Sequence, residues 1–251
     1  MQKYIVIADD LTGSNATCSL FKKIGLRAAS ILKLQGGISY DVDVISYSTA
    51  SRGLDKEEAY NKVSEAIKIL KSKDVLVYNK RIDSTLRGNI GTEINAMLDN
   101  LEDDRIAVVV PAYPDSGRIV VNKTMLVNGV LLENSDAGKD PKTPIKTSCV
   151  ESLVQKDIKY SSTYFTLSDI AQPIEEIVKK IQEAIKKSRV LIFDAVNNED
   201  IIKISKAIKN LWRKREEQIR NLLGFYANRL IEEFNSSNVA GDYKCKFVAG
   251  C

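Results

Sequence analysis

The 251-residue sequence contains no histidine. That absence excludes Ser-His-Asp and Cys-His catalysis, phosphohistidine chemistry and nearly every His-ligated metal site. Any general base must be Asp, Glu, Lys, Cys or Tyr. Cysteine is scarce: Cys18, Cys149, Cys245 and Cys251 form no C-x-x-C pair, and without histidine they make no zinc set, so no metal is expected. They are expected as free thiols. No stretch approaches the ~20 apolar residues of a membrane span. The N-terminal run YIVIA meets two acids too soon for a secretory signal, and the chain is expected to be cytoplasmic. Neither G-x-x-x-x-G-K followed by Ser or Thr nor G-x-G-x-x-G occurs, so no nucleotide cradle of either type is recognisable.

What is present is ordinary globular material. Hydrophobic residues make up 44% and charged residues 28%, which excludes intrinsic disorder. The net charge of +4 is concentrated in 203–233, where eight Lys or Arg face four Glu. Those charges interleave with apolar residues, so a solvated helix face is favoured over a nucleic-acid patch.

The first two-thirds alternates strand-like and helix-like patterns. Strands are expected at 4–8, 27–32, 42–48, 75–79, from Ile106 and at 190–195. Helices are expected at 14–24, from Asp55, near 90–100, from Pro173 and after Asn198 as its cap. Apolar strands alternating with helices predict a parallel sheet, mixed at its edge, with helices on both faces in a Rossmann-like α/β fold. Four of the five prolines lie in 111–150, which reads as an excursion over the sheet edge or the site, with VNGV as a hairpin turn. Residues 213–234 read as one amphipathic helix in a helical C-terminal extension. The expected division is 1–208 and 209–251.

Ligands of such sheets bind at the carboxyl ends of the strands, and four polar segments fall there. ADDLTG places Asp9 and Asp10 at the first strand tip, where they can accept from a polyol, one can act as a base, or Asp10 can cap the next helix. A phosphatase reading as D-x-D-x-T is excluded because Ala8 occupies the nucleophile position. STASR offers Arg52 as a carboxylate or phosphate clamp. KRIDSTLRGN packs Lys80, Arg81, Ile82, Asp83, Ser84, Thr85 and Arg87 together, which suits an anionic, hydroxylated ligand; Ser84 or Thr85 could instead cap the next helix. PAYPDSGR adds Arg118 in a stiff turn, with Gly117 permitting close backbone approach.

These segments, with KDPKTPI and FDAVNNEDI (Asp194, Asp200), occur in the same order as in the four-carbon acid sugar kinases, which the chain resembles over roughly residues 3–208. The resemblance implies two α/β domains, the first holding a small four-carbon sugar acid and the second most of the site for ATP and Mg2+. It implies substrate contacts at Asp9, Asp10, Arg52, Lys80, Arg81, Ile82, Asp83 and Ser84, with Arg87 and Arg118 as further anion contacts. Asp10 or Asp83 would orient or deprotonate the attacking hydroxyl. Relatives of this kind are longer, and no counterpart of their ATP domain is recognised here. The expected partners are therefore the sugar acid and a separate ATP-binding chain, with no nucleic acid and no membrane. Three readings follow: the sugar-binding domain of such a kinase, a catalytically inactive sugar-acid module or truncated product, and an interaction protein that pairs two copies or binds a partner through the basic helix.

Overall fold

The computed structural model describes residues 4–36, 40–101, 105–213 and 222–225. The chain opens with strand β1 (Tyr4–Ala8), helix α1 (Leu11–Lys23), β2 (Ala28–Ile31), β3 (Val44–Ser48), α2 (Lys56–Leu70), β4 (Val77–Arg81), α3 (Ile90–Asn100) and β5 (Ile106–Val109). β1 is wholly buried, as its uninterrupted apolar run requires of a parallel strand covered on both faces. The first sheet is parallel, in the order β2-β3-β1-β4. Ala8 is level with Ser48 on one side and Arg81 on the other. β1 therefore separates β3 from β4, and the crevice where connections depart in opposite directions opens beside Asp9 and Ile82.

The excursion contains a three-stranded antiparallel sheet of β6 (Arg118–Val121), β7 (Thr124–Val127) and β8 (Val130–Leu131). Both turns have two consecutive residues at positive φ: Asn122 and Lys123 in the first, Asn128 and Gly129 in the second. That is the twist a two-residue hairpin demands, so the VNGV hairpin is as expected. Gly117, itself at φ +69°, backs onto the second turn, and a β-carbon there would collide with Asn128 Oδ1. The close approach expected at Gly117 is thus to the protein's own hairpin.

The chain continues through α4 (Val150–Gln155), β9 (Ser162–Phe165), α5 (Leu167–Ile170), α6 (Ile174–Ala184), β10 (Val190–Phe193), α7 (Asn198–Arg213) and β11 (Leu222–Phe225). A second parallel sheet runs β11-β5-β10-β9. β11 also lies alongside β4 of the first sheet. The α/β architecture expected from the sequence is the one observed: parallel sheets flanked by helices.

Several local expectations are corrected. α1 starts at Leu11 rather than at residue 14, because Asp10 caps it by accepting from Gly13 N at 2.7 Å. β4 extends to Arg81, so Lys80 and Arg81 belong to the strand and not to the following loop. Asn197, not Asn198, caps α7: its Oδ1 accepts from Asp200 N at 2.8 Å while Asp200 Oδ2 accepts from Val196 N and Asn197 N. Asn198 reaches Asp115 instead. α3 is preceded by Asn89, so neither Ser84 nor Thr85 caps it. The helix expected over 213–234 is interrupted: Leu222–Phe225 is a strand whose apolar run pairs with β5. The rest of that stretch lies outside the described residues, as do Cys245 and Cys251.

Among the described residues no helix is long and apolar enough to cross a membrane.

Candidate functional site

The site is built on aligned strand ends. Asp9 and Asp10 follow β1, the 49–54 loop follows β3, and Ile82–Gly88 follow β4. Arg52 sits at the centre. Its Nε and Nη2 donate to Asp9 Oδ2 and Oδ1 at 2.7 and 3.0 Å. Its Nη1 lies 2.9 Å from Asp10 Oδ2 and 3.7 Å from Asp83 Oδ1. Three aspartates from two strands therefore share one guanidinium. Burial opposes the Arg52 charge, but the Asp9 hydrogen bonds and the surrounding acids win, and its pKa rises.

Arg87 forms the second clamp. Its Nε and Nη2 donate to Asp83 Oδ2 and Oδ1 at 2.6 and 3.0 Å, and its Nη1 to Asp140 Oδ2 at 2.9 Å. Thr85 Oγ1 also donates to Asp83, at 2.6 Å. Burial would raise the Asp83 pKa, yet Arg87, the Arg52 charge and Thr85 together lower it to about 2. Asp140 opens a turn in which its Oδ1 accepts from Lys142 N and Thr143 N at 2.9 and 2.8 Å. Those backbone bonds, and then Arg87, hold its pKa at about 2. The 111–150 excursion thus returns to the crevice through Asp140.

The loops that carry these groups are tightly held. Ala50 and Leu86, neither of them glycine, take positive φ values of 50° and 57°, a conformation that persists only when its surroundings enforce it. Gly88 packs directly on Arg52, where a β-carbon would come within 3.3 Å of the Arg52 backbone. Asn89 Nδ2 donates to the carbonyls of Ser51 and Leu54 at 3.2 and 2.9 Å.

A buried polar chain underlies the cluster. Thr49 Oγ1 donates to the Ala8 carbonyl at 2.9 Å and meets Ser51 Oγ at 2.7 Å. Ser51 donates to Glu93 from α3. Glu93 in turn pairs with Lys80 at 2.7 Å, with both side chains essentially inaccessible. Lys80 Nζ also donates to the Arg81 carbonyl at 3.0 Å. Burial and the nearby Asp9 charge push the Glu93 pKa up against the opposing pull of Lys80.

The structure brings Asp9, Asp10, Arg52, Asp83 and Arg87 into one network, with Arg81 packed against the start of α1 beside Asp10. Ser84 is half-buried in the same loop. Lys80 and Ile82 lie underneath, buried. Arg118 stands apart: its Nη1 donates to the Ser116 carbonyl at 2.6 Å, within its own turn. Glu93, Asp140, Thr49 and Ser51 are not among the residues that the sequence pattern singles out. KDPKTPI carries the one available signal, an Asp-Pro turn placing Asp140 where its carboxylate can organise a loop.

Asp194, conspicuous in FDAVNNEDI, is a fully buried joint. It accepts from Lys123 N at 3.1 Å, Tyr164 Oη at 2.7 Å and Leu167 N at 3.0 Å. It ties the hairpin sheet to the ends of β9 and β10 and touches none of the crevice residues above.

A parallel α/β domain with carboxylates and guanidinium groups gathered at its switch point is the class that fold and site define. The chain belongs to the family of sugar-binding N-terminal domains, whose profile matches residues 4–222. It is 40% identical over 209 residues to the D-erythronate kinase of Heliobacterium modesticaldum, covering 80% of this chain and 47% of that protein. It is 34% identical over 207 residues to the D-threonate kinase of Salmonella typhimurium, covering 82% and 48%. A Bordetella bronchiseptica protein, solved with bound citrate as a domain-swapped dimer, superposes with a TM-score of 0.69 at 28% identity, over 83% of this chain and 51% of that one. The chain spans about half the length of the curated relatives it matches.

Among the described residues no three carboxylates or thiols converge as a metal-ligand set. No glycine-rich phosphate loop accompanies them. No nucleotide site is evident among the described residues.

Proposed function

We propose that this chain is the substrate-binding part of an ATP-dependent kinase that phosphorylates a four-carbon sugar acid. The observation that carries the proposal is the convergence of Asp9, Asp10 and Asp83 on Arg52 at the β1–β4 crevice, with Arg81, Ser84 and Arg87 beside them. Carboxylates that accept from hydroxyls, next to guanidinium groups that grip a carboxylate, are the complement of a small hydroxylated acid. The kinase names of the relatives support the same reading, as does citrate, itself a hydroxy acid, in the Bordetella structure.

Within this reading Asp10 orients the attacking hydroxyl and accepts its proton. Both Asp83 oxygens are engaged by Arg87, and its low pKa makes it a weak base. Asp10 is the more accessible, with one oxygen on the helix cap and one on Arg52 Nη1. Phosphoryl transfer asks little more of a protein than such positioning and charge neutralisation. ATP and Mg2+ are supplied by a separate ATP-binding chain or domain. The alternative reading is a sugar-acid-binding module without catalysis.

Calorimetric titration of the full chain with D-erythronate, D-threonate and 3-oxo-tetronate tests the proposal. Saturable binding of one acid is expected, followed by its phosphorylation when ATP and the ATP-binding half of a relative are added. Binding without phosphorylation in that mixture supports the module; a folded protein that binds none of the three overturns both readings.

A further inference from the structure

We infer, resting on the sugar-acid reading above, that Lys142 forms a phosphate subsite at the rim of the crevice, and that its ligand is a phosphate monoester of the sugar acid. The turn that carries it, residues 140–143, reaches the crevice from the far end of the excursion. Asp140 Oδ2 accepts from Arg87 Nη1 at 2.9 Å, and Arg87 grips Asp83 with its other two nitrogens. Asp140 Oδ1 accepts from the backbone N–H groups of Lys142 and Thr143 at 2.9 and 2.8 Å. Pro141 and Pro144 bracket those two residues and restrict the backbone on either side of them. One carboxylate and one guanidinium therefore fix the place of Lys142 relative to Asp83.

The side chain leaves that turn across the loop after β3. A β-carbon on Gly53 would lie 3.4 Å from Lys142 Cδ and 3.7 Å from Nζ, so the lysine stem rests on bare backbone next to Arg52. Lys142 is exposed, and its ammonium makes no hydrogen bond or ion pair among the described residues. The guanidinium groups beside it are committed, Arg52 to Asp9 and Asp10 and Arg87 to Asp83 and Asp140. The carboxylates of Asp9, Asp10, Asp83 and Asp140 also outnumber the guanidinium groups of Arg52, Arg81 and Arg87. A free sugar acid brings one negative charge to this crevice, and a phosphate adds between about one and two more at neutral pH. That second anion calls for a cation with no acid of its own, which is what Lys142 offers. The residue type fits as well. An arginine fork matches a planar carboxylate, whereas an ammonium on a flexible stem is a point charge whose three donors can follow a tetrahedral phosphate. The phosphorylated end of the ligand then lies on the excursion side of the crevice, against Lys142.

The test is calorimetric titration of the full chain with D-erythronate and with its phosphate monoester on the terminal hydroxyl. Wild type is expected to bind the monoester at least as tightly as the acid. Lys142→Met is expected to weaken the monoester about ten-fold, the lower end of what a charge-assisted contact is worth, and to leave the acid within about two-fold. Lys142→Arg should keep most of the monoester affinity, because it keeps the charge. Lys139→Met removes the same charge from the other side of Asp140 and should leave both ligands within about two-fold. Thermal melting should be unchanged in all three variants, since both lysines are exposed. Added salt should narrow the gap between wild type and Lys142→Met for the monoester. Equal losses of acid and monoester in Lys142→Met, an unchanged monoester affinity, or the same loss in Lys139→Met overturn the inference while leaving the sugar-acid reading standing. So does a wild type that binds the acid more tightly than the monoester. If wild type binds D-threonate or 3-oxo-tetronate instead, the same comparison is run with that acid and its terminal monoester. A folded wild type that binds no acid overturns the reading and the inference together.

Discussion

Arg87 grips Asp83 with two parallel hydrogen bonds, at 2.6 and 3.0 Å, and with its remaining terminal nitrogen reaches Asp140 from the far end of the excursion. One side chain thus fastens the loop after β4 to that returning segment. Arg87→Ala should leave the largely buried Asp83 without its main partner. A destabilisation of about 2–4 kcal/mol is expected from losing one member of a largely buried pair, measured by urea unfolding. Arg87→Lys should recover less than half of it, because a lysine cannot form the fork. A change under about 0.5 kcal/mol, the range of an ordinary surface substitution, would sink the claim that Arg87 is a fastener.

Acid should weaken the fold over a defined window. Asp83 has its pKa lowered to about 2. A carboxyl whose folded pKa lies below its unfolded value, near 4, contributes stability that is fully present above the unfolded value. That stability is lost as pH falls through the folded value. Asp83 accounts for roughly 2 kcal/mol on this basis, with Asp140 titrating over the same range. Unfolding free energy followed from about pH 5 down to about pH 2 should therefore fall steeply, and in Asp83→Asn the slope should flatten. An identical slope in the variant would mean that other carboxylates dominate.

The Lys80–Glu93 pair makes an asymmetric prediction. Removing either partner strands a charge that is sealed from water, so Glu93→Gln and Lys80→Met should each cost about 3–5 kcal/mol. The double variant Lys80→Met, Glu93→Leu should regain most of that, because an apolar pair of similar volume avoids the desolvation penalty. Denaturant titrations of the three proteins decide it. Additive losses in the double variant would show that the two side chains do not depend on each other.

Gly117→Ala should destabilise through two separable effects. The new methyl would collide with Asn128 Oδ1, and alanine would be forced to positive φ. A loss of about 2–3 kcal/mol is expected. Adding Asn128→Gly, which removes the colliding amide and keeps the turn, should return the collision part and leave about 1 kcal/mol of backbone strain. Thermal unfolding of the single and double variants reads both parts. No recovery in the double variant would place the whole effect in the backbone.

Much of the fold was legible because parallel strands buried on both faces announce themselves as apolar runs, and stretches such as YIVIA and VLIF have few other uses in a globular domain. The crevice was legible for a related reason: Asp9, Asp10, Arg52 and Asp83 are polar residues placed directly after such runs. What the pattern hid was partnership. Lys80 reads as a ligand cation because a lysine after an apolar run is normally outside, and its partner Glu93 lies on the next helix within IGTEINAML, where nothing local marks it as buried. Asp140 was hidden by distance, since no periodicity connects it to Arg87. Leu222–Phe225 carries apolar residues at spacings a helix can also use, and only the place beside β5 decides for a strand.

The buried pair beneath the crevice also acts on alignment. Along β4, neighbouring residues point to opposite faces, so sliding the strand by one position would move the Lys80 ammonium away from Glu93 and bring Asn79 or Arg81 to its place. An apolar strand such as β1 could tolerate a slip with little change in chemistry, since every face it presents is greasy. β4 cannot. The single charge matched to α3 works as a notch and key that admits one setting of the strand, and that setting is the one that delivers Arg81 and Asp83 to the mouth of the crevice at the same level as Asp9.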